Sequence, residues 1–135
     1  MKNVIWSLCL LLLIPTTVSA QETQKINKKN LVVKEWKTDA KTNKKILDHV
    51  TTYNPDGKKI EEIEYGESGQ KWRKRYEYDE NGKMSREMVY DEKNALVNYK
   101  KFEYNEFGKK KTQYTYDSKG KMTSIKVFEY ITQDA

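Results

Sequence analysis

Tyr78-Asp79-Glu80-Asn81-Gly82-Lys83-Met84 packs a tyrosine, a four-residue turn and the restart of an apolar alternation into seven positions. Asp at the first turn position can hydrogen-bond the backbone two residues on. Gly at the fourth accepts a left-handed conformation at little cost, which suits a type I turn closed by a glycine bulge. The pattern recurs along the chain. Tyrosines stand at Tyr53, Tyr65, Tyr78, Tyr90, Tyr104, Tyr116 and Tyr130, with gaps of 12, 13, 12, 14, 12 and 14. Behind each of the first six comes a segment of one chemical kind, with Gly57, Gly69, Gly82, Asn94, Gly108 or Gly120 in fourth place. Asn94 is the one substitution, and asparagine is the non-glycine residue that best tolerates positive φ.

Between the turns lie segments of strand length that alternate with period two. Trp72, Tyr76 and Tyr78 point one way, and Arg73, Arg75 and Glu77 the other. The same parity groups Met84 with Met88 and Tyr90. It extends the aromatic set to Phe102, Tyr104, Tyr114, Tyr116, Phe128 and Tyr130, all expected on one side of the sheet, with Lys100, Lys110 and Lys126 interrupting it. Upstream, Leu31 to Lys37 and Ile46 to Tyr53 read as two more strands joined by the polar loop Thr38 to Lys45. The expected fold is all-β, an antiparallel meander of about eight strands, forming a curved sheet or a small barrel.

The domain plan follows. Lys2, the apolar run Val4 to Ile14 and the small residues Val18-Ser19-Ala20 predict a signal peptide over residues 1–20, with cleavage before Gln21. The run is too short for a membrane span, and Cys9 lies inside it rather than at its end, so no lipid or other stable membrane anchor is expected. Residues 21–30 read as a disordered leader and 31–135 as a single β-repeat domain. The expected location is periplasmic or secreted. Cleavage removes Cys9, so disulfides cannot staple the mature chain, and sheet hydrogen bonding with aromatic packing must hold it.

Lysine and arginine outnumber the acids to give a net charge of +6, and Lys2 leaves with the signal peptide, so +5 remains. Because the charges alternate in sign along the chain, they describe a solvated surface first and an affinity for acidic envelope polymers second; no nucleic-acid partner is expected. Enzymatic chemistry lacks its usual ingredients. Beyond the signal peptide there is one histidine, His49, no cysteine, and no nucleophile elbow, phosphate loop or metal-ligand spacing, so no catalytic residue, metal or cofactor is expected. The Asp and Asn residues of the turns are explained by turn chemistry without a calcium site.

The segments Tyr78 to Met84 and Tyr116-Asp117-Ser118-Lys119-Gly120-Lys121-Met122 resemble the tyrosine–aspartate (YD) repeat of large exported bacterial proteins, over roughly Tyr53 to Tyr130. That resemblance implies a rolled sheet of hairpins. In size, signal peptide and repeat the chain is similar to short exported Bacteroides-type proteins of unknown function, which implies a location and a fold but no activity. The expected function is a non-catalytic binding or structural module that recognises a partner protein or an envelope polysaccharide through its sheet surface or turns. The alternative is a self-assembling or dimerising β protein, with an enzyme of unknown type a distant third. The aromatic row (Trp72, Tyr76, Tyr78, Phe102, Tyr104, Tyr114, Tyr116, Phe128 and Tyr130) is the candidate binding surface, and its other reading is the core of the fold. Closure decides between them, because a barrel hides the rings and an open sheet exposes them.

Overall fold

A computed structural model describes residues 25–133. The signal peptide expected over residues 1–20 lies outside them. Eight strands run in chain order: β1 (Val32–Thr38), β2 (Lys45–Tyr53), β3 (Lys59–Gly66), β4 (Gly69–Tyr78), β5 (Met84–Tyr90), β6 (Leu96–Tyr104), β7 (Lys110–Asp117) and β8 (Met122–Val127). They form one antiparallel sheet in the order β1-β2-β3-β4-β5-β6-β7-β8, open at both ends. Of the two expected forms, the barrel is therefore corrected: β1 and β8 do not meet, and each strand touches only the strands before and after it.

The turn chemistry is as the sequence predicts at five of the six hairpins. Gly57, Gly82, Asn94, Gly108 and Gly120 have φ of 74°, 72°, 60°, 71° and 82°. Each donates its N–H to the carbonyl of the first turn residue, at 2.9–3.1 Å. That first residue is Asn54, Asp79, Asp91, Asn105 or Asp117, and its side-chain oxygen accepts the N–H four residues on. The sixth hairpin differs in its turn, although Gly69 too has positive φ, at 108°. Gly66 pairs with Gly69 in the ladder, so Glu67 and Ser68 alone make the turn, and Gly66 has no side chain to accept a bond.

Each of these six hairpins also carries one extra residue on the strand leaving the turn, opposite the strand-end tyrosine. Tyr78 pairs with Met84 and Glu77 with Arg86, which leaves Ser85 over. One inserted residue reverses facing, because side chains alternate with period two. The register then splits the aromatic row. Tyr76, Glu87, Lys100, Thr115 and Ser124 pair across the sheet on one side, here the front; Arg75, Met88, Tyr99 and Tyr116 share the back. The expectation of a single aromatic side is thus corrected: Tyr114 and Tyr116 lie on the back, together with Met88 and Tyr90.

A hairpin with its preceding turn is the true repeat, 25 to 27 residues long: Asn27–Tyr53, Asn54–Tyr78, Asp79–Tyr104 and Asn105–Tyr130. The first unit begins inside the expected leader. The Asn27 side chain accepts the Lys29 N–H, Asn30 has φ 52°, and its N–H donates to Asn54 of the next turn at 3.0 Å. Residues 27–30 are therefore an ordered turn stacked on its successor.

Among the described residues there is no second layer. Tyr76 is the only buried hydrophobic residue among the described ones. The long cationic side chains do part of the missing layer's work by lying across rings: Lys58 over Tyr78, Lys59 over Tyr76, Arg73 over Tyr90 and Lys110 over Phe102, at 4.4–5.3 Å from the ring centroids. Each such contact contributes about 0.5–1 kcal/mol when exposed, and the aliphatic stem covers apolar surface besides.

Candidate functional site

Three pentapeptides occupy equivalent places on the even strands: Lys74-Arg75-Tyr76-Glu77-Tyr78, Lys100-Lys101-Phe102-Glu103-Tyr104 and Lys126-Val127-Phe128-Glu129-Tyr130. Alternation puts the lysine, the first ring and the tyrosine of each on the front. Equivalent strands are two spacings apart, so the same set recurs about every 9–10 Å across the sheet.

The last tyrosine of each pentapeptide is fixed in the same way. The hydroxyls of Tyr78, Tyr104 and Tyr130 donate to the carbonyls of Lys59, Met84 and Lys110 on the neighbouring strand, at 2.6, 2.7 and 2.7 Å. These rings lie down along the sheet, held at both ends. Phe128 and Tyr130 continue the pattern past β8, with the Phe128 N–H donating to Lys111 at 3.0 Å. Of the candidate aromatics, Trp72, Tyr76, Tyr78, Phe102, Tyr104, Phe128 and Tyr130 thus share the front, while Tyr114 and Tyr116 are brought together elsewhere. On the back, Tyr116 stacks on Tyr99 with centroids 4.8 Å apart.

Charge on the front is arranged by the same repeat. Glu62 and Glu87 sit on β3 and β5 beside the even-strand rings. Glu62 accepts from the Tyr76 hydroxyl and from Lys59 at 2.7 Å, and Lys100 meets Glu87 at 3.2 Å. Burial pushes the Glu62 carboxyl up, but the hydrogen bonds from Lys59 and Tyr76 and the nearby positive charge outweigh it and hold it below the usual carboxylate range. Burial, and then the Glu62 charge, push the Tyr76 hydroxyl far above its ordinary value, so Tyr76 is a proton donor at any ordinary pH. In the last unit the acidic position is Gln113, which leaves Lys126 without the carboxylate its counterpart Lys100 has.

His49 lies at the front near Glu62, at 3.8 Å, and edge-on to Trp72 with centroids 5.8 Å apart. Among the described residues no three His, Cys, Asp or Glu side chains converge as metal ligands would. An open depression of about 710 Å³ runs along the turn end, lined by Lys83, Phe102, Tyr104, Asn105 and Gly108 among others.

Lys74, Glu62 and Glu87 of this surface are missed when the repeat is counted one strand at a time, and Lys100 and Lys126 then read only as interruptions of the aromatic face. The signal that finds them is the two-strand period, visible as Lys-x-aromatic-Glu-Tyr at Lys74, Lys100 and Lys126, 26 residues apart. Comparison of the chain with family models, with curated proteins and with solved structures finds no match.

Proposed function

We propose that this chain is an exported, non-catalytic binding module, related in kind to short exported proteins with tyrosine–aspartate repeats, and that its front face takes an extended polysaccharide of the cell envelope. One observation carries the reading: a set of lysine, ring and tyrosine recurs on one open face at β4, β6 and the end of β8, every second strand of that half of the sheet. A site that repeats at a fixed interval fits a polymer that repeats too. Rings supply flat apolar surface for sugar rings, and the lysine ammonium groups supply donors for hydroxyls and carboxylates. The formal positive charge of the chain favours a polymer that carries acid groups.

The experiment is co-sedimentation of the purified protein with insoluble envelope polysaccharides, neutral and acidic. Retention is expected, weakened by Lys100→Ala and by Phe102→Ala and unchanged by Tyr116→Ala on the back. Equal loss from the front and back substitutions overturns the reading, as does failure to bind any polysaccharide. Capture of an envelope protein with no polysaccharide retained would give the surface to a protein partner instead.

A further inference from the structure

The two edges of the sheet show the same incompleteness. Apart from Ile26, Val97 and Phe107, the large hydrophobic side chains that stand exposed lie on β1 (Val32, Val33 and Trp36) or on β8 and just beyond it (Met122, Ile125, Val127, Tyr130 and Ile131). Interior strands have a neighbour on each side to cover such groups, and β1 and β8 have one each among the described strands. Repeat proteins ordinarily close their ends with units whose outer side is polar. Among the described residues both ends of the sheet are ordinary units: the first opens with the turn Asn27 to Asn30, and the last runs to Tyr130 as the others run to Tyr53, Tyr78 and Tyr104.

We propose that β8 of one copy pairs with β1 of the next, so that copies of this chain join end to end into a longer sheet. The direction is right, because in an even-numbered meander β1 and β8 are antiparallel and a simple translation continues the alternation. The register is set by the repeat. The residue before the last of each unit pairs with the eighth residue of the following unit: Thr52 with Glu61, Glu77 with Arg86, Glu103 with Thr112. Applied at the junction, this rule sets Glu129 opposite Lys34 of the next copy, an acid against a base as in the Glu77–Arg86 pair at 3.9 Å. Two residues back, Val50 pairs with Ile63, Arg75 with Met88 and Lys101 with Tyr114. The junction counterpart is Val127 against Trp36, which stand 67% and 52% exposed on the back face and would cover each other. Lys126 falls opposite Lys37, so one like-charge pair opposes the joint. Lysines on edge strands are a common guard against uncontrolled pairing, and the association is accordingly reversible. The contact is head to tail and does not close, which gives a series of sizes rather than a dimer. It uses the edges, leaves both faces free, and stands or falls apart from the polysaccharide reading.

The test is analytical ultracentrifugation of the purified protein over a concentration series, with far-UV circular dichroism to show that each variant keeps its sheet. The wild type is expected to pass from one copy to two, three and more. Trp36→Lys blocks the β1 edge and Val127→Lys the β8 edge, so each variant alone stays monomeric, but their equimolar mixture forms a one-to-one pair through the two intact edges. Lys126→Glu turns the like-charge pair into an attractive one and shifts assembly to lower concentration. A wild type that stays monomeric throughout overturns the proposal. So does a dimer that grows no further and survives Trp36→Lys, since that assigns the contact to two β8 edges.

Discussion

The Tyr76 hydroxyl donates to the Glu62 carboxylate on the neighbouring strand, joining the only buried hydrophobic side chain among the described residues to an acid on the same face. The pair ties stability to pH at both ends of the scale. Glu62 is held below its ordinary value of 4.5, so its contribution is present above that pH and is lost as the pH falls through the folded-state value. Tyr76 is raised above its ordinary 10.0, so its contribution is present below pH 10 and is lost as the unfolded chain, but not the folded one, ionises. Urea midpoints measured from pH 2 to 11 should therefore fall at both ends. Glu62→Gln should flatten the acid arm and Tyr76→Phe the alkaline arm; a profile unchanged by either substitution would refute the coupling.

The left-handed turn position predicts an asymmetry. Gly82→Val places a β-branched side chain at φ 72° and should cost on the order of 1–3 kcal/mol. Asn94→Gly, at φ 60°, restores the residue of the other turns and should be neutral or slightly stabilising. Denaturation midpoints of the two variants give the answer, and equal effects would contradict the turn assignment.

Phe102 separates an open sheet from a closed core. As a fully enclosed ring it would cost about 3–5 kcal/mol to remove, comparable to the whole stability of a small domain. It is only half-buried, on a face that no second layer covers among the described residues. Phe102→Ala should therefore cost about 1–2 kcal/mol and leave a cooperatively folded protein. A variant that fails to fold would show that something covers the front.

The tyrosine clasps make a finer prediction. Tyr104→Phe removes one hydroxyl and leaves the Met84 carbonyl without its 2.7 Å donor, for a loss of about 1 kcal/mol. Tyr116→Phe, on a ring that stacks on Tyr99 instead, should cost less. If both substitutions cost the same, the clasp adds nothing to the ring.

Processing is the remaining prediction. The exported protein should begin at Gln21 and carry no lipid, as intact mass spectrometry would show. A diacylated cysteine, or an intact Met1, would contradict it.

The strands and turns were legible because each is decided locally. Asn54 or Asp117 bonding its own turn, and Gly82 at positive φ, need nothing from the rest of the chain. Facing was not legible in the same way, since it depends on one unpaired residue per hairpin. Ser85 looks like any other strand residue in the sequence, yet it sends Met88 and Tyr90 to the back. Closure was hidden for a different reason: alternation says that a face is apolar enough to cover but not what covers it, and here the stems of Lys59 and Lys110 do so in part. The first turn, Asn27 to Asn30, escaped notice because it is preceded by Ile26 instead of tyrosine.

That each strand meets only its immediate neighbours has a consequence for length. Removing Asp79–Tyr104 would take out two strands and one turn of each end together, and the chain would rejoin in phase, Tyr78 leading into Asn105 as it now leads into Asp79. Duplicating the same segment would lengthen the sheet equally smoothly. Genes for such a chain can gain or lose hairpins without any intermediate that scrambles the faces, whereas a change of a single strand would invert everything downstream. The inheritable step in this architecture is therefore the pair.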